Sequence, residues 1–192
     1  MNYVANAGML IIQFVFGAIV ALFVVRMLAE ACRADFHNPI CQFVYRYTNP
    51  VLQPIKKVVP NWRRISSAAL LVAWLAECIK VVLIVAVAGI SPNLIGIPVA
   101  GLAELLDFIA MFYIVLVFAW SLMSMLSADR YHPLLRLVGS LTEPLLRPLR
   151  GKVVLGGLDF SPAVVMLVLL LVRVLLVQPL TDWGQRLLLL GG

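Results

Sequence analysis

The stretch TNPVLQPIKKVVP, residues 48–60, places three prolines and two lysines in thirteen residues between two long hydrophobic runs. In the same setting, 94 residues later, stands TEPLLRPLRGK, residues 142–152. Sliding the chain against itself by 94 residues brings Pro39 onto Pro133, Thr48 onto Thr142, Pro50 onto Pro144, Leu52 onto Leu146 and Pro54 onto Pro148. Ile55 and Lys56 then meet Leu149 and Arg150, and one further residue of offset sets Ser66 on Ser161. A register this long reads as an internal repeat. Residues 1–95 and 96–192 are therefore expected to be two copies of one unit.

The surroundings of the two stretches say what the unit is. Of the 192 residues, 63% are hydrophobic and 12% charged, with a mean hydropathy of +1.03. Charged residues in a soluble domain run to about a quarter, so the chain belongs in a membrane. Hydrophobic runs of about 20 residues cross the hydrocarbon core as helices. Four such runs occur, at about 8–31, 67–90, 102–125 and 162–180, and the uncharged turn-former segment SPNLIGIPVAG at 91–101 separates the second from the third. The first run does not read as a secretory signal, because no basic residue precedes it and its apolar core exceeds the usual length. The expected fold is an all-α membrane protein with four transmembrane helices in two parallel helix–amphipathic segment–helix repeats, related by an axis along the membrane normal.

Charge sets the orientation. Arg33, Arg46, Lys56, Lys57, Arg63 and Arg64 lie in the first connection, 32–66, and Arg130, Arg136, Arg147, Arg150 and Lys152 in the second, 128–161. Only Arg186 lies at the opposite side, while Arg26, Lys80 and Arg173 fall inside spans. The positive-inside rule then makes both connections cytoplasmic and both termini outward-facing. Basic charge on one face suits anionic lipid headgroups and gives no reason to expect nucleic acid. The three cysteines form no CxxC and no even set, so no disulfide framework follows.

Within each connection the apolar residues follow a helical period: Ile40, Phe43, Val44, Tyr47 and Val51 in the first, and Leu134, Leu137, Val138, Leu141 and Leu145 in the second. Each makes one stripe, with Arg46 and Arg136 off it, as in a helix lying in the membrane interface. Pro39 and Pro133 suit first turns, behind Asn38 and His132. Pro50 and Pro144 are expected to end those helices, leaving irregular strips that present Pro54, Lys56 and Lys57, or Arg147, Pro148 and Arg150, at headgroup level. These strips are the candidate lipid- or partner-binding surface. A plain turn at the membrane surface is the competing reading. In GGLDFSP, residues 156–162, Asp159 or Ser161 is expected to cap the fourth span, with the glycine pair allowing close backbone approach. The first copy has NWRRISS instead, with Arg64 in the place of Asp159.

The paired Pro50, Pro54, Ile55, Lys56 and Pro144, Pro148, Leu149, Arg150, followed by Gly156-Gly157-Leu158-Asp159-Phe160-Ser161-Pro162, closely resemble the YggT family of bacterial inner-membrane proteins, which has plastid relatives. The resemblance covers essentially the whole chain. It implies four spans in two repeats, no established enzymatic activity, and a loose link to osmotic-stress tolerance and ion uptake in bacteria. For the plastid relatives it implies a link to cytochrome assembly and nucleoid organisation. Arg64 departs from the aspartate usual in the first repeat.

Ionisable residues inside spans cost about 2.5 to 3.5 kcal/mol on insertion scales and so call for partners or a wet cavity. Glu77 and Lys80, three apart, are expected to pair on one helix face, and Lys80 reaches a depth at which it could pair with Asp107. Arg173 lies at comparable depth in the fourth span, Glu104 and Asp107 open the third, and Arg26, four residues before Glu30, is expected to snorkel toward water. These charges read either as a polar ion pathway or as structural pairs. His37 and His132 lack companion ligands, so neither a metal nor another cofactor is expected. No nucleophile or phosphate-binding motif is present. The expected function is non-enzymatic: the two basic segments organise contacts with anionic lipid or membrane proteins, in a homo-oligomer or larger complex. The alternative is a subunit of an ion transport system, with potassium as a candidate ion.

Overall fold

The computed structural model describes residues 3–60, 65–125, 132–155 and 158–189. Four helices are long and apolar enough to cross a membrane: α1 (Tyr3–Ala31), α3 (Ser67–Val87), α4 (Gly96–Met125) and a fourth span over Ser161–Leu189. The fourth is made of α6 (Ser161–Val172), a π-helical turn (Arg173–Val177) and α7 (Gln178–Leu189). Two shorter helices, α2 (Pro39–Lys56) and α5 (Pro133–Leu146), follow α1 and α4. A two-residue antiparallel ladder, β1 (Val154–Leu155) with β2 (Leu158–Asp159), precedes α6. Among the described residues the protein is thus an all-α, multi-pass membrane protein with one small ladder.

The first, third and fourth spans exceed the lengths read from hydropathy, while α3 ends at Val87, short of the run read to 90. Gly96 already starts α4, so the connection expected at 91–101 is shorter, and α7 runs on to Leu189 with polar residues among its apolar ones. A window of hydropathy ends where water begins, whereas a helix continues while its backbone bonds continue.

Small residues set the packing, because in lipid the association of helices rests on close contact rather than on water exclusion. Ala69, Ala73 and Ala76 make a smooth face on α3 that packs with Val20, Phe23, Val24 and Met27 of α1 in one core cluster. On the other side α4 packs on α7, with Gly96 against the Leu187–Leu188 backbone and Gly184 against Ala100. Much of the remaining apolar surface is exposed, as on α6 at Leu167, Val168, Leu170 and Leu171, and is available to acyl chains.

Contrary to the sequence expectation, the helices do not break at Pro50 and Pro144. Helix α2 runs through Pro50 and Pro54 to Lys56, and α5 runs through Pro144 to Leu146, leaving Arg147, Pro148 and Arg150 in a turn. An interior proline costs about 3 kcal/mol because it frees a carbonyl and its ring crowds the preceding turn. Here Pro50, Pro54 and Pro144 all lie on exposed faces, where a freed carbonyl meets water or headgroups. The opposite face is held by burial of Val44 and Leu52, or of Val138 and Leu146. Two residues before Pro50 and before Pro144 a fully buried threonine bonds back into its own helix: Thr48 Oγ1 donates to the Val44 carbonyl at 2.7 Å, and Thr142 Oγ1 to that of Val138 at 2.9 Å.

Candidate functional site

Helices α2 and α5 meet at one end of the bundle. Each starts with a side-chain cap and a proline in the first turn: Asn38 Oδ1 accepts from the Ile40 N–H at 2.9 Å, and His132 Nδ1 from the Leu134 N–H at 3.3 Å. Asn38 also donates to the Pro133 carbonyl at 2.6 Å, and Arg136 Nη2 meets Asp35 Oδ2 at 2.8 Å. The Asp35 carboxyl is held below the usual range, first by the His37 backbone N–H and further by Arg136.

The single apolar stripe expected on α2 is two faces. Cys41, Val44, Thr48 and Leu52 are buried against the bundle. Phe43, Tyr47 and Val51 form a second apolar face that is exposed together with Pro50 and Pro54, the Phe43 and Tyr47 rings being 4.5 Å apart between centroids. Gln42, Arg46, Gln53 and Lys57 make a third, polar and exposed face. In α5 the positions 94 residues on from Phe43 and Tyr47 are Leu137 and Leu141, and both are buried.

The basic residues at this end divide into tied and free. Lys56 reaches Glu30 at 3.1 Å and Arg150 reaches Glu143 at 3.2 Å. Arg46, Lys57 and Arg147 are exposed and make no ion pair with a described residue. Asp159 accepts from both the Ser161 N–H at 2.9 Å and the Ser161 hydroxyl, which also donates to the Leu149 carbonyl at 2.9 Å. Asp159 and Ser161 thus fasten the start of α6 to the turn after α5, while Pro162 takes the first turn. Hydrogen bonds from Ser161 hold the Asp159 carboxyl below the ordinary value. The expectations for Arg63, Arg64, Arg130, Gly156 and Gly157 lie outside the described residues.

Arg26 does not snorkel. It is 4% exposed, with Nη2 at 2.7 Å from Glu30 Oε1 and its guanidinium carbon 3.2 Å from the centroid of the Tyr45 ring. An aromatic face and a carboxylate together compensate the charge in place, so the side chain need not reach water. Burial pushes the Tyr45 phenol up to about 12, keeping it neutral.

Deeper in the bundle the spanning charges form two groups. Lys80 Nζ lies 2.5 Å from Glu77 Oε2 on its own helix and 3.1 Å from Glu104 Oε2 on α4. Asp107, considered above for Lys80, instead takes Arg173 in a two-point pair, Nε to Oδ1 at 2.5 Å and Nη2 to Oδ2 at 3.0 Å. Depth allowed either partner for Lys80; Glu104 and Asp107, three apart, are only about 60° apart around α4, and the pairs divide them, Glu104 to Lys80 on α3 and Asp107 to Arg173 in the fourth span. A cavity of about 310 Å³ is lined by Glu104, Asp107, Arg173, Gln178, Thr181 and Asp182. The π-turn begins at Arg173, and the Gln178 N–H bonds five residues back to the Arg173 carbonyl. Such turns often accompany functional sites, and this one re-registers α7 so that Gln178, Thr181 and Asp182 share a wall with Arg173.

Asp35, Tyr45, Gln178, Thr181 and Asp182 were not singled out from the sequence. Asp35 carried one usable signal, being the lone acid in a basic connection. Tyr45 carried none, since an aromatic beside an apolar stripe reads as packing.

A family model described as CCB3/YggT matches residues 5–87 and 99–180. Over 166 residues, 85% of each chain, the sequence is 36% identical to "Uncharacterized protein YggT" of Escherichia coli K12. It is 31% identical over 181 residues to "Uncharacterized protein PA0392" of Pseudomonas aeruginosa, covering 91% of this chain and 90% of that one. To "Uncharacterized protein in proC 3'region" of Vibrio alginolyticus it is 28% identical over 162 residues, 81% of this chain and 85% of the other. No solved structure matches the chain.

Proposed function

The chain belongs to the CCB3/YggT family, and from that premise we propose that it is a non-enzymatic protein of the bacterial inner membrane whose basic end gathers anionic lipid on the cytoplasmic leaflet. In this reading the chain is two parallel repeats, with both termini periplasmic. The observation that carries it is the three-faced α2. One face is buried in the bundle, Phe43, Tyr47 and Val51 are free to enter the acyl boundary, and Arg46 and Lys57 flank them. That combination of an exposed apolar face with adjoining cations is what an interfacial helix needs. The two connections hold eleven Lys and Arg against Asp35, Asp129, Glu143 and Asp159, and each cation near an anionic leaflet contributes about 1 kcal/mol. Helix α5, buried on the corresponding positions, acts as the mount for α2. A lipid-gathering surface of this kind suits a protein that steadies membrane complexes under osmotic stress, alone or as a homo-oligomer.

The test is lipid selectivity. In nanodiscs of mixed phosphatidylcholine and phosphatidylglycerol, the wild-type protein retains phosphatidylglycerol preferentially and releases it as salt rises. Replacing Arg46, Lys57 and Arg147 together by Gln abolishes that preference with helicity unchanged. Equal enrichment in the triple variant contradicts the proposal.

A second reading, a subunit of an ion transport system, draws on a different observation, the polar cavity beside Asp107 and Arg173. Under it, Asp107→Asn in reconstituted vesicles changes cation flux. Under the first reading it lowers stability only.

A further inference from the structure

The polar cavity leads toward a carboxylate that lacks a full complement of partners. Glu77 is 0% exposed. Its Oε2 lies in an ion pair 2.5 Å from Lys80 Nζ, yet neither carboxylate oxygen has a hydrogen-bond partner among the described residues. Lys80 simultaneously serves Glu104, 3.1 Å away, which lines the cavity. One ammonium therefore stands between two carboxylates. Among the described residues no second cation is at hand, because Arg173 is engaged by both oxygens of Asp107.

Other titratable groups do not change this balance. On α3 the neighbour is Cys78, on α4 the acids are Glu104 and Asp107, and on α7 Asp182 lines the same cavity, adding negative rather than positive charge. Helix α1, which packs on α3, carries no titratable residue between Val4 and Val25. With both carboxylates ionised, the triad leaves one uncompensated negative charge about 15 Å from the Ser67 end of α3, near mid-membrane. That is a costly state in a medium of low dielectric. A metal ion is a poor remedy, since Lys80 already occupies the space between the carboxylates and the flanking side chains of α3, Ala73, Ala76 and Val81, offer no oxygen. A proton needs only a lone pair.

We propose that Glu77, Lys80 and Glu104 form a proton-binding site in which the two carboxylates share one proton, held on Glu77 and exchanged with water in the cavity through Glu104. The exchange balances as follows. Hydronium in the cavity protonates the Glu104 carboxylate and leaves water. Lys80 passes a proton from its ammonium to Glu77 Oε2, and the neutral amine takes the proton of the Glu104 acid. One proton has entered, the ammonium is restored, and the triad is neutral. This site goes beyond the lipid-gathering reading and stands whether or not that reading holds.

Infrared spectroscopy of the protein in nanodiscs, compared in H2O and D2O, tests it. The wild type should show one protonated carboxyl equivalent at neutral pH whose C=O band shifts on exchange into D2O. Glu77→Gln should lose that band. Glu104→Gln should lose it as well, because the single remaining carboxylate is then matched by Lys80. No wild-type band, or a band that survives in Glu77→Gln, overturns the site. A band that survives in Glu104→Gln overturns the shared proton. The wild-type measurement stands alone where a variant fails to fold.

Discussion

Asn38 uses its side chain twice: Oδ1 caps α2 by accepting from the Ile40 N–H, and Nδ2 donates to the carbonyl of Pro133 at the start of α5. With Asp35 and Arg136 beside it, this residue is the hinge pin between the two short helices α2 and α5. Asn38→Ala loses both bonds and should lower stability by about 2 kcal/mol, whereas Asn38→Ser keeps a capping oxygen too short to reach Pro133 and should lose about half as much. Unfolding in detergent followed by circular dichroism compares them, and equal losses would dismiss the bond to Pro133.

The Asp107–Arg173 pair should behave as a compensated unit. Each side chain is about one-third exposed, so the penalty for breaking the pair falls between surface and buried values. Asp107→Asn should cost about 1 to 2 kcal/mol by stranding the guanidinium. Adding Arg173→Gln to Asp107→Asn should recover part of the loss in a double-mutant cycle. Strictly additive losses would mean that the two residues act separately.

Close backbone contact between α4 and α7 makes a third prediction. A Cβ on Gly184 would lie 2.9 Å from the Ala100 Cα, and one on Gly96 2.5 Å from the Leu188 nitrogen. Backbone cannot step aside as a flexible side chain can, so Gly184→Ala should cost about 1 to 3 kcal/mol. Gly17→Ala, with nothing within 4 Å, should be neutral or slightly stabilising. Thermal unfolding of the two variants in the same detergent checks the contrast.

Acid should selectively weaken the tie at the start of α6. The folded Asp159 carboxyl is held below its ordinary value by Ser161. Its contribution is therefore fully present above the unfolded value, about 3.9, and is lost as pH falls through the lower folded value. Wild type should exceed Asp159→Asn in melting temperature at neutral pH, with the gap closing on acidification. A gap that stays constant would remove the charge on Asp159 from the explanation.

Hydropathy made the four spans legible, because crossing a hydrocarbon slab demands a long apolar helix and little else. It left the faces of α2 unresolved: in a membrane protein both lipid and protein interior are apolar, so Phe43 and Val44 look alike in sequence though one is exposed and the other buried. Thr48 entered the sequence reading only through the repeat register, and its back-bond to Val44 lets its hydroxyl sit fully buried. The prolines misled for a related reason, since their cost depends on whether the freed carbonyl faces water, which is a property of the assembled end of the bundle. Spacing found the Glu77–Lys80 pair on one helix. The cross-helix choice of Glu104 over Asp107 required the packing of α4 between α3 and the fourth span.

The orientation on which the lipid-gathering role depends is open to direct measurement. In a background with Cys32, Cys41 and Cys78 replaced by Ala, single cysteines are introduced as Gln53→Cys on the exposed polar face of α2 and as Ser91→Cys in the connection between α3 and α4. Intact cells are then treated with a membrane-impermeant maleimide. Labelling of Ser91→Cys with protection of Gln53→Cys until the cells are permeabilised is the expected result. Labelling of Gln53→Cys from outside would put the basic end on the wrong leaflet and contradict the proposed role.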